Sequence, residues 1–497
     1  MKINELNKTA LLTPHQKEVF DSIIGHIEER IENLLKSDCI EKYLLSLTGA
    51  AGTGKTYLTV QIARYFEEKV KSLTYPQQHS YSFVITAPTH KAVSVIADTL
   101  QQAGIEASCK TIHSFLGIKP FIDYNTGVEC YTVDKTNKTK ESTAILMVDE
   151  SSMIGAELYH FILEAIEEGR VDLVLFIGDP YQLLPVNDSV NPVYELKYQF
   201  SLTEVVRQAN DSYIINIATE LRERIVAKEF IDLKQFFMEC GKRYAELYLF
   251  HNKVDFLEAF YEGEKWFDDD KILASHRNKN VDAFNREIRR KYWHQKGIDN
   301  PPTLVSGDKL RFKEAYSVRD ITLYYNNQIV KLEKVEKLYH ETLHIEYWEC
   351  KAVGCSKQQI FRVVDPESAS VFNDKLDLIA KNAKRAKFPD NRKLWKAFYK
   401  VRNMFVDVQY VFSSTIHKLQ GSTYDETFID LFSLADNHYM GMEEKYRLAY
   451  VAVTRASREV RVFIPATSEK FFLNQDIDML KEFSDMDRMI EVIMDIE

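Results

Sequence analysis

Eight consecutive residues, Gly49-Ala50-Ala51-Gly52-Thr53-Gly54-Lys55-Thr56, set the first chemical expectation. A glycine-rich turn leaves successive backbone N–H groups free to surround phosphate oxygens. Lys55 has the reach for β- and γ-phosphates, and the Thr56 hydroxyl can hold Mg²⁺. Further along stand two adjacent carboxylates, Asp149 and Glu150. Beside a triphosphate, Asp149 can hold Mg²⁺ directly or through water, and Glu150 can orient and deprotonate the attacking water. The Gln182 amide is placed to sense a γ-phosphate. Near the C-terminal end, Arg455 supplies a guanidinium that could grip the same phosphate bidentately and neutralise charge in the transition state.

Positioning these groups takes a sheet. Tyr43 to Leu47 is an apolar run that reads as a buried strand. Tyr57 to Lys69, with Leu58, Ile62 and Phe66 at helical spacing, reads as the helix after the loop. Ser82–Ala87, Ala144–Val148 and Leu173–Ile177 read as further buried strands. Each ends in polar residues, as expected at the C-terminal edge of an open parallel sheet. One of these ends, Pro88-Thr89-His90-Lys91, has polar atoms that could hold a phosphodiester backbone or simply start a capped helix, and Thr111-Ile112-His113 repeats that chemistry some twenty residues on. Upstream, Thr13 suits an N-cap and Pro14 the first helical position. Gln16 could read an adenine edge or simply begin that helix. Lys119 to Val133, around Asn125-Thr126-Gly127, carries a hairpin signal. Its Phe121, Tyr124 and Tyr131 fit either a wedge or ordinary hairpin packing.

Leu202-Thr203-Glu204-Val205-Val206-Arg207-Gln208 opens a second half. Its sheet is expected from Lys271–Ser275, Glu426–Leu431 and Glu459–Ile464, with a helix over Val281–Lys291. Between Gly307 and Arg362 short strands and turns predict a small β-barrel insertion. From Ile379 to Arg402 the chain has nine basic residues and one acid, Asp390, a local charge of +8. Phe388, Trp395, Phe398 and Tyr399 are interleaved, the composition of a single-strand-binding face or of a solvated helical one. Helical spacing in the acidic tail, Asp476 to Glu497, fits a helix packed on the body or a partner-docking segment.

At 497 residues the chain is long enough for two to four domains. No run approaches the roughly 20 apolar residues of a membrane span, and Met1 to Thr13 lacks a signal-peptide core. Six scattered cysteines fit reduced thiols in a cytoplasm. The net charge of −10 means that any nucleic-acid surface must be local.

The ordered motifs, above all Gly49 to Thr56, Asp149-Glu150, Gly178 to Pro185, Thr415 to Gly421 and Val451 to Arg455, resemble those of superfamily 1 helicases. The resemblance is to the 5′→3′ branch that includes Dda, RecD2 and Pif1 helicases, and phage Dda-type enzymes are nearest in layout. It implies an α/β fold of two tandem RecA-like P-loop domains, with a hairpin insertion in the first and an SH3-like β-barrel insertion in the second. The implied division is 1–115 and 143–200 (first domain), 116–142 (hairpin), 201–290 and 412–497 (second domain) and 291–411 (second insertion). The implied cofactors are ATP and Mg²⁺, with residues 49–56 and Gln16 at the nucleotide, Thr56 and Asp149 at the metal, and Glu150 as base. Gln182 is the implied sensor, and Arg207 and Arg455 the arginine pair. Pro88, Thr89, His90, Lys91, Thr111, His113, Thr415 and His417 fall in segments expected to touch single-stranded DNA. Phe121, Tyr124 and Tyr131 match a strand-separating hairpin in position. The implied partners are single-stranded and forked DNA, with replication or recombination proteins at the C-terminal segment, for a cytoplasmic, monomeric enzyme. An RNA helicase, or an ATP-gated single-strand clamp that does not unwind, would carry the same motifs.

Overall fold

The computed structural model describes residues 12–36, 43–74, 78–133, 141–185, 190–206, 212–264, 266–318, 321–356 and 359–465. Arg207 and the tail from Asp476 to Glu497 lie outside the described residues.

The first half is built on strands β1 (Tyr43–Gly49), β2 (Phe83–Ala87), β3 (Ser108–Thr111), β6 (Thr143–Val148), β7 (Val171–Gly178) and β8 (Tyr198–Leu202). Strands β4 (Ile118–Asp123) and β5 (Val128–Val133) form a separate antiparallel hairpin. The six-stranded sheet is parallel throughout, in the order β3-β2-β6-β7-β1-β8. Every residue of β6 is buried, because helices cover both faces of a parallel sheet and its strands must be apolar on both sides. One face packs on α1 (Pro14–Lys36), α2 (Lys55–Ser72) and α3 (His90–Gln102), through Ile27, Leu58, Phe66 and Ile96. The other packs on α4 (Ile112–Leu116) and the segment around Ile162. The strand order puts the ends of β6, β7 and β1 side by side. Asp149, Asp179 and the phosphate loop therefore emerge from three adjacent strands.

In the second half, β9 (Tyr248–Phe250) and β10 (Lys271–Ser275) lead to α5 (Asn278–Gln295). The chain then leaves the sheet. Strands β11 (Lys309–Phe312), β14 (Ile329–His340), β15 (Ile345–Ala352), β16 (Ile360–Val364) and β17 (Val408–Tyr410) form an antiparallel sheet, with β12 (Tyr316–Val318) and β13 (Ile321–Tyr324) as a small hairpin. Phe312 stacks on Tyr324 at 4.5 Å, and Phe361 meets both edge-on. The expected barrel is here a sheet in the order β16-β15-β14-β11-β17, with two edges. A backbone bond from Val406 N–H to Arg362 O (2.8 Å) links those edges. Between β16 and β17 the chain makes two helices, α6 (Ala369–Arg385) and α7 (Asp390–Arg402).

Returning, β18 (Ser413–Thr415), β19 (Tyr424–Asp430) and β20 (Ala456–Phe463) complete a second parallel sheet, β18-β10-β19-β20-β9. Helix α8 (Met442–Thr454) precedes β20, and every residue from Leu448 to Val453 is buried. A helix apolar on all sides is covered on all sides. One side of α8 lies in the core of the second half, and the first half's Ala51, Tyr181 and Leu183 join that same cluster.

Candidate nucleotide site and nucleic-acid interface

The phosphate loop turns through Gly52 (φ 81°) and Gly54 (φ 86°) before α2 begins at Lys55. Its shape is held from within by the Thr53 hydroxyl, which donates to Ala50 O at 2.9 Å. It is also held from α1. Thr13 and Gln16 form a capping box: Gln16 N–H donates to Thr13 Oγ1 (3.2 Å) and Thr13 N–H to Gln16 Oε1 (3.2 Å). The remaining amide group, Nε2, donates to Thr53 O at 3.2 Å. Both ends of the Gln16 amide, expected at an adenine edge, are thus occupied within the protein. A side chain at position 54 would collide with Nε2, so the glycine serves packing as well as backbone conformation. Lys55 lies back over the loop, with Nζ donating to Gly49 O (2.6 Å) and Ala50 O (3.0 Å) and standing 4.0 Å from Asp179 Oδ2.

Asp149 accepts from the Glu150 N–H through Oδ1 at 2.9 Å, and Glu150 adopts a left-handed backbone (φ 52°). Burial and the neighbouring Glu150 carboxylate push the Asp149 carboxyl up to about 7, against the opposing pull of Lys55. Asp149 lies near enough to Lys55 of the loop for their charges to interact, and its carboxylate and the Thr56 hydroxyl are the hard-oxygen donors that suit Mg²⁺. The residues present fit that ion.

Four residues absent from the motif-based site prove central. Asp179 is buried; its Oδ1 accepts from Tyr181 N–H (3.0 Å) and its Oδ2 from the Tyr450 hydroxyl (2.6 Å). That same hydroxyl accepts from the Ala51 N–H of the phosphate loop at 3.0 Å. Burial and the Asp179 carboxylate hold the Tyr450 phenol well above its ordinary range, so it stays a donor. Arg447 reaches across from α8, its Nη1 donating to Pro180 O (2.7 Å) and Gln182 O (2.9 Å). Gln420 Nε2 donates to Gln182 Oε1 (3.3 Å) and Ser152 Oγ (3.2 Å). The polar groups at the first sheet's edge therefore bond to the second half at several points. The sequence did hold a signal: Tyr450 and Arg447 are polar residues in an otherwise buried helical run, and Gln420 lies within the Thr415–Gly421 motif.

Arg455 is placed differently from expectation. Its Nε donates to Val451 O (3.1 Å), Nη1 to Ser422 O (3.0 Å) and Nη2 to Thr454 Oγ1 (3.2 Å). A buried guanidinium needs its donors satisfied, and in this conformation nearby carbonyls do so. Gly421, next to the Ser422 that Arg455 bonds, nevertheless lies beside Glu150.

The proposed DNA contacts divide. Thr89 and Thr111 cap helices, accepting from Ala92 N–H and Ser114 N–H at 3.2 Å each, and Thr415 is buried. Pro88 is half-buried beside them. His90 is exposed, and its ring lies 4.0 Å from that of Tyr325 in the second half's insertion. Lys91 sits over the Tyr424 ring (4.6 Å) and donates to its hydroxyl (3.3 Å). His113 lies 6.2 Å from Tyr131, and His417 is exposed, 5.9 Å from His276.

On the β4–β5 hairpin, Phe121 and Tyr131 are exposed, whereas Tyr124 packs on α7. The hairpin tip is docked onto that helix. Tyr399 donates its hydroxyl to Gly127 O (2.9 Å), Asn391 Nδ2 donates to Asn125 O (3.0 Å), and Arg402 pairs with Glu129 (3.3 Å). Trp395 lies against Gly127, where φ is 73° and no β-carbon would fit. The aromatic residues that the basic stretch offered for base stacking are therefore largely spent inside: Trp395 and Tyr399 are buried, and Phe388 is exposed.

Fold and site together define a P-loop ATPase whose nucleotide residues are bonded to a second parallel-sheet half. A family model described as an AAA domain matches residues 34–188, and one described as a UvrD-like helicase C-terminal domain matches residues 410–463. The chain is 26% identical over 491 residues to the ATP-dependent DNA helicase dda of Enterobacteria phage T4, covering 90% of this chain and 98% of that protein. It is 22% identical over 455 residues to the RecBCD enzyme subunit RecD of Mycobacterium tuberculosis, covering 84% and 66%. Among solved structures, the Pif1 helicase from Candida albicans is similar at 16% identity and a TM-score of 0.45, with 91% of this chain and 94% of that one covered. The two family models and the two curated relatives bear out the resemblance to Dda-like superfamily 1 helicases, and with it an ATP-hydrolysing enzyme of the helicase class. No described helix is long and apolar enough to cross a membrane.

Proposed function

We propose that the chain is an ATP-dependent DNA helicase that moves 5′→3′ on a single strand and displaces the complementary one. One observation carries the reading most directly: Gln420, of the Thr415–Gly421 motif, bonds the Gln182 side chain, while Arg447 bonds the backbone of the same turn. A nucleotide sensor wired to the other half is what a motor needs and a metabolic kinase does not. The division of the chain given above is part of the proposal.

Lys55 and the loop amides bind the triphosphate, and Glu150 takes a proton from the attacking water. When bound, Mg²⁺ at Thr56 and Asp149 supplies charge neutralisation at the phosphates. Binding must favour one arrangement of the halves, since a ligand with equal affinity for both shifts nothing. Triphosphate competes with Tyr450 for the Ala51 N–H and with Gly49 O and Ala50 O for Lys55. Entry of ATP therefore breaks bonds that now join or line the halves. Arg455 reaches the γ-phosphate once its carbonyl partners release it; Arg207 is the proposed second arginine. Strand contacts then alternate between the His90–Lys91 and His417 regions as the halves move.

The deciding experiment measures ATPase stimulation by single-stranded DNA and RNA, then displacement on forked duplexes tailed at 5′ or 3′. The reading requires DNA stimulation and displacement from the 5′ tail. RNA-selective stimulation supports the RNA helicase, and binding without displacement supports the clamp.

A further inference from the structure

We infer that the end of the α6–α7 helix pair is a contact for the phosphate backbone of duplex DNA, placed beside the hairpin tip. The inference rests on the helicase reading and names a partner for a surface that reading leaves unused. Lys381, Lys384 and Arg385 share the last turns of α6, Lys387 stands in the connection, and Arg392 and Lys396 lie in the first turns of α7. All six are exposed. Among the described residues, no carboxylate lies within ion-pair distance of Lys381, Lys384, Arg385 or Lys387. The acids nearby are few: exposed Asp377 stands one turn before Lys381 on α6, Asp390 is 4.0 Å from Lys393, Asp123 faces Arg392, and Glu129 is taken by Arg402.

Concentrating unpaired positive charge at one end of a protein with a net charge of −10 creates a local field that attracts a polyanion. Packing decides which polyanion. Single-strand sites combine cations with rings on which bases stack, and here Trp395 and Tyr399 are buried against the hairpin. What remains outside is a cluster of cations with one exposed ring, Phe388; a lone ring offers no run of stacking platforms, whereas the cations suit the sequence-independent backbone contacts of a duplex. Position agrees. The same end of α7 bonds Asn125 at the hairpin tip, so an unseparated duplex reaching the hairpin passes these cations.

The test uses full-length protein with Lys381→Ala, Lys384→Ala, Arg385→Ala and Lys387→Ala combined. These exposed sites make no hairpin contact, and alanine favours the helix. Binding is measured across salt concentrations to a blunt duplex, a fork and a single strand, alongside single-strand-stimulated ATPase. If all four contact phosphates, the slope of log affinity against log salt for duplex and fork falls by about 4. Single-strand binding and ATPase stay unchanged. Equal loss on single strands overturns the inference in favour of a single-strand site, and an unchanged slope on every substrate overturns it in favour of a solvated face. Because the blunt duplex needs no motor activity, this result is independent of whether the protein unwinds.

Discussion

Gln16 shows how one side chain can satisfy two readings of the same sequence. Thr13-Pro14-His15-Gln16 fits both an adenine reader and a capping box, and the structure uses both amide ends for the cap and for Thr53 O. If capping is its role, Gln16→Ala lowers stability by about 1 kcal/mol and leaves the preference for ATP over GTP unchanged. Thermal melts and paired ATP/GTP kinetics check this; lost base discrimination would restore the adenine role. Arg455 presents the opposite case, with the role read from its motif and the geometry from its neighbours. Removing the guanidinium takes a donor from Ser422 O and leaves Val451 O with the Thr454 hydroxyl, at a cost of about 1–3 kcal/mol. If it also swings to the γ-phosphate, Arg455→Ala loses on the order of 10³–10⁵ in hydrolysis while still binding single strands. A variant that is less stable yet hydrolyses normally would leave the buried contacts as its whole function, and Arg447 as the nearer candidate.

At the scale of elements, the parallel strands were legible because each is an apolar run ending in polar residues, and that pattern has few other physical causes. The phosphate loop and the Asp149-Glu150 pair followed from the same strand ends. The contacts of the basic stretch were not legible, because charge and aromatic spacing report which residues share a helix face, not what covers it. In the structure that cover is the β4–β5 hairpin, held by Trp395, Tyr399 and Asn391. Nor could spacing show that Tyr450, in a buried helix, would reach the phosphate loop some 400 residues earlier in the chain. A hairpin clamped at its tip is stiff, and a wedge must be stiff to transmit force. Trp395→Ala empties that contact, and large aromatic truncations in cores cost about 3–5 kcal/mol. We expect the hairpin to loosen, with strand displacement falling well below the wild-type rate while single-strand-stimulated ATPase is retained. Parallel loss of both activities would mean that α7 supports the whole fold rather than the hairpin.

For the whole molecule, the question is whether the two halves must move. Around the nucleotide residues they are joined by polar bonds of Tyr450, Arg447, Gln420 and Lys91, beside apolar contacts of Leu183 with the second core and of the hairpin with α7, and polar contacts within a chain permit relative motion. A covalent link across it would decide the matter. A β-carbon built on Gly421 would lie 3.6 Å from that of Ala92, within the roughly 3.5–4.5 Å of a disulfide. Gly421 has φ +71°, so a cysteine there strains the backbone by about 1–2 kcal/mol. That cost is common to the oxidised and reduced forms and cancels in their comparison. We expect the Ala92→Cys, Gly421→Cys double variant to bind single strands in both forms. Oxidation should reduce DNA-stimulated ATP turnover more than tenfold, and reductant should restore it. Each single-cysteine variant controls for the native thiols, of which Cys130 is exposed. A fully cross-linked enzyme turning over at the reduced rate would show that hydrolysis proceeds without separation at this point, and the motor would then have to work by motion elsewhere.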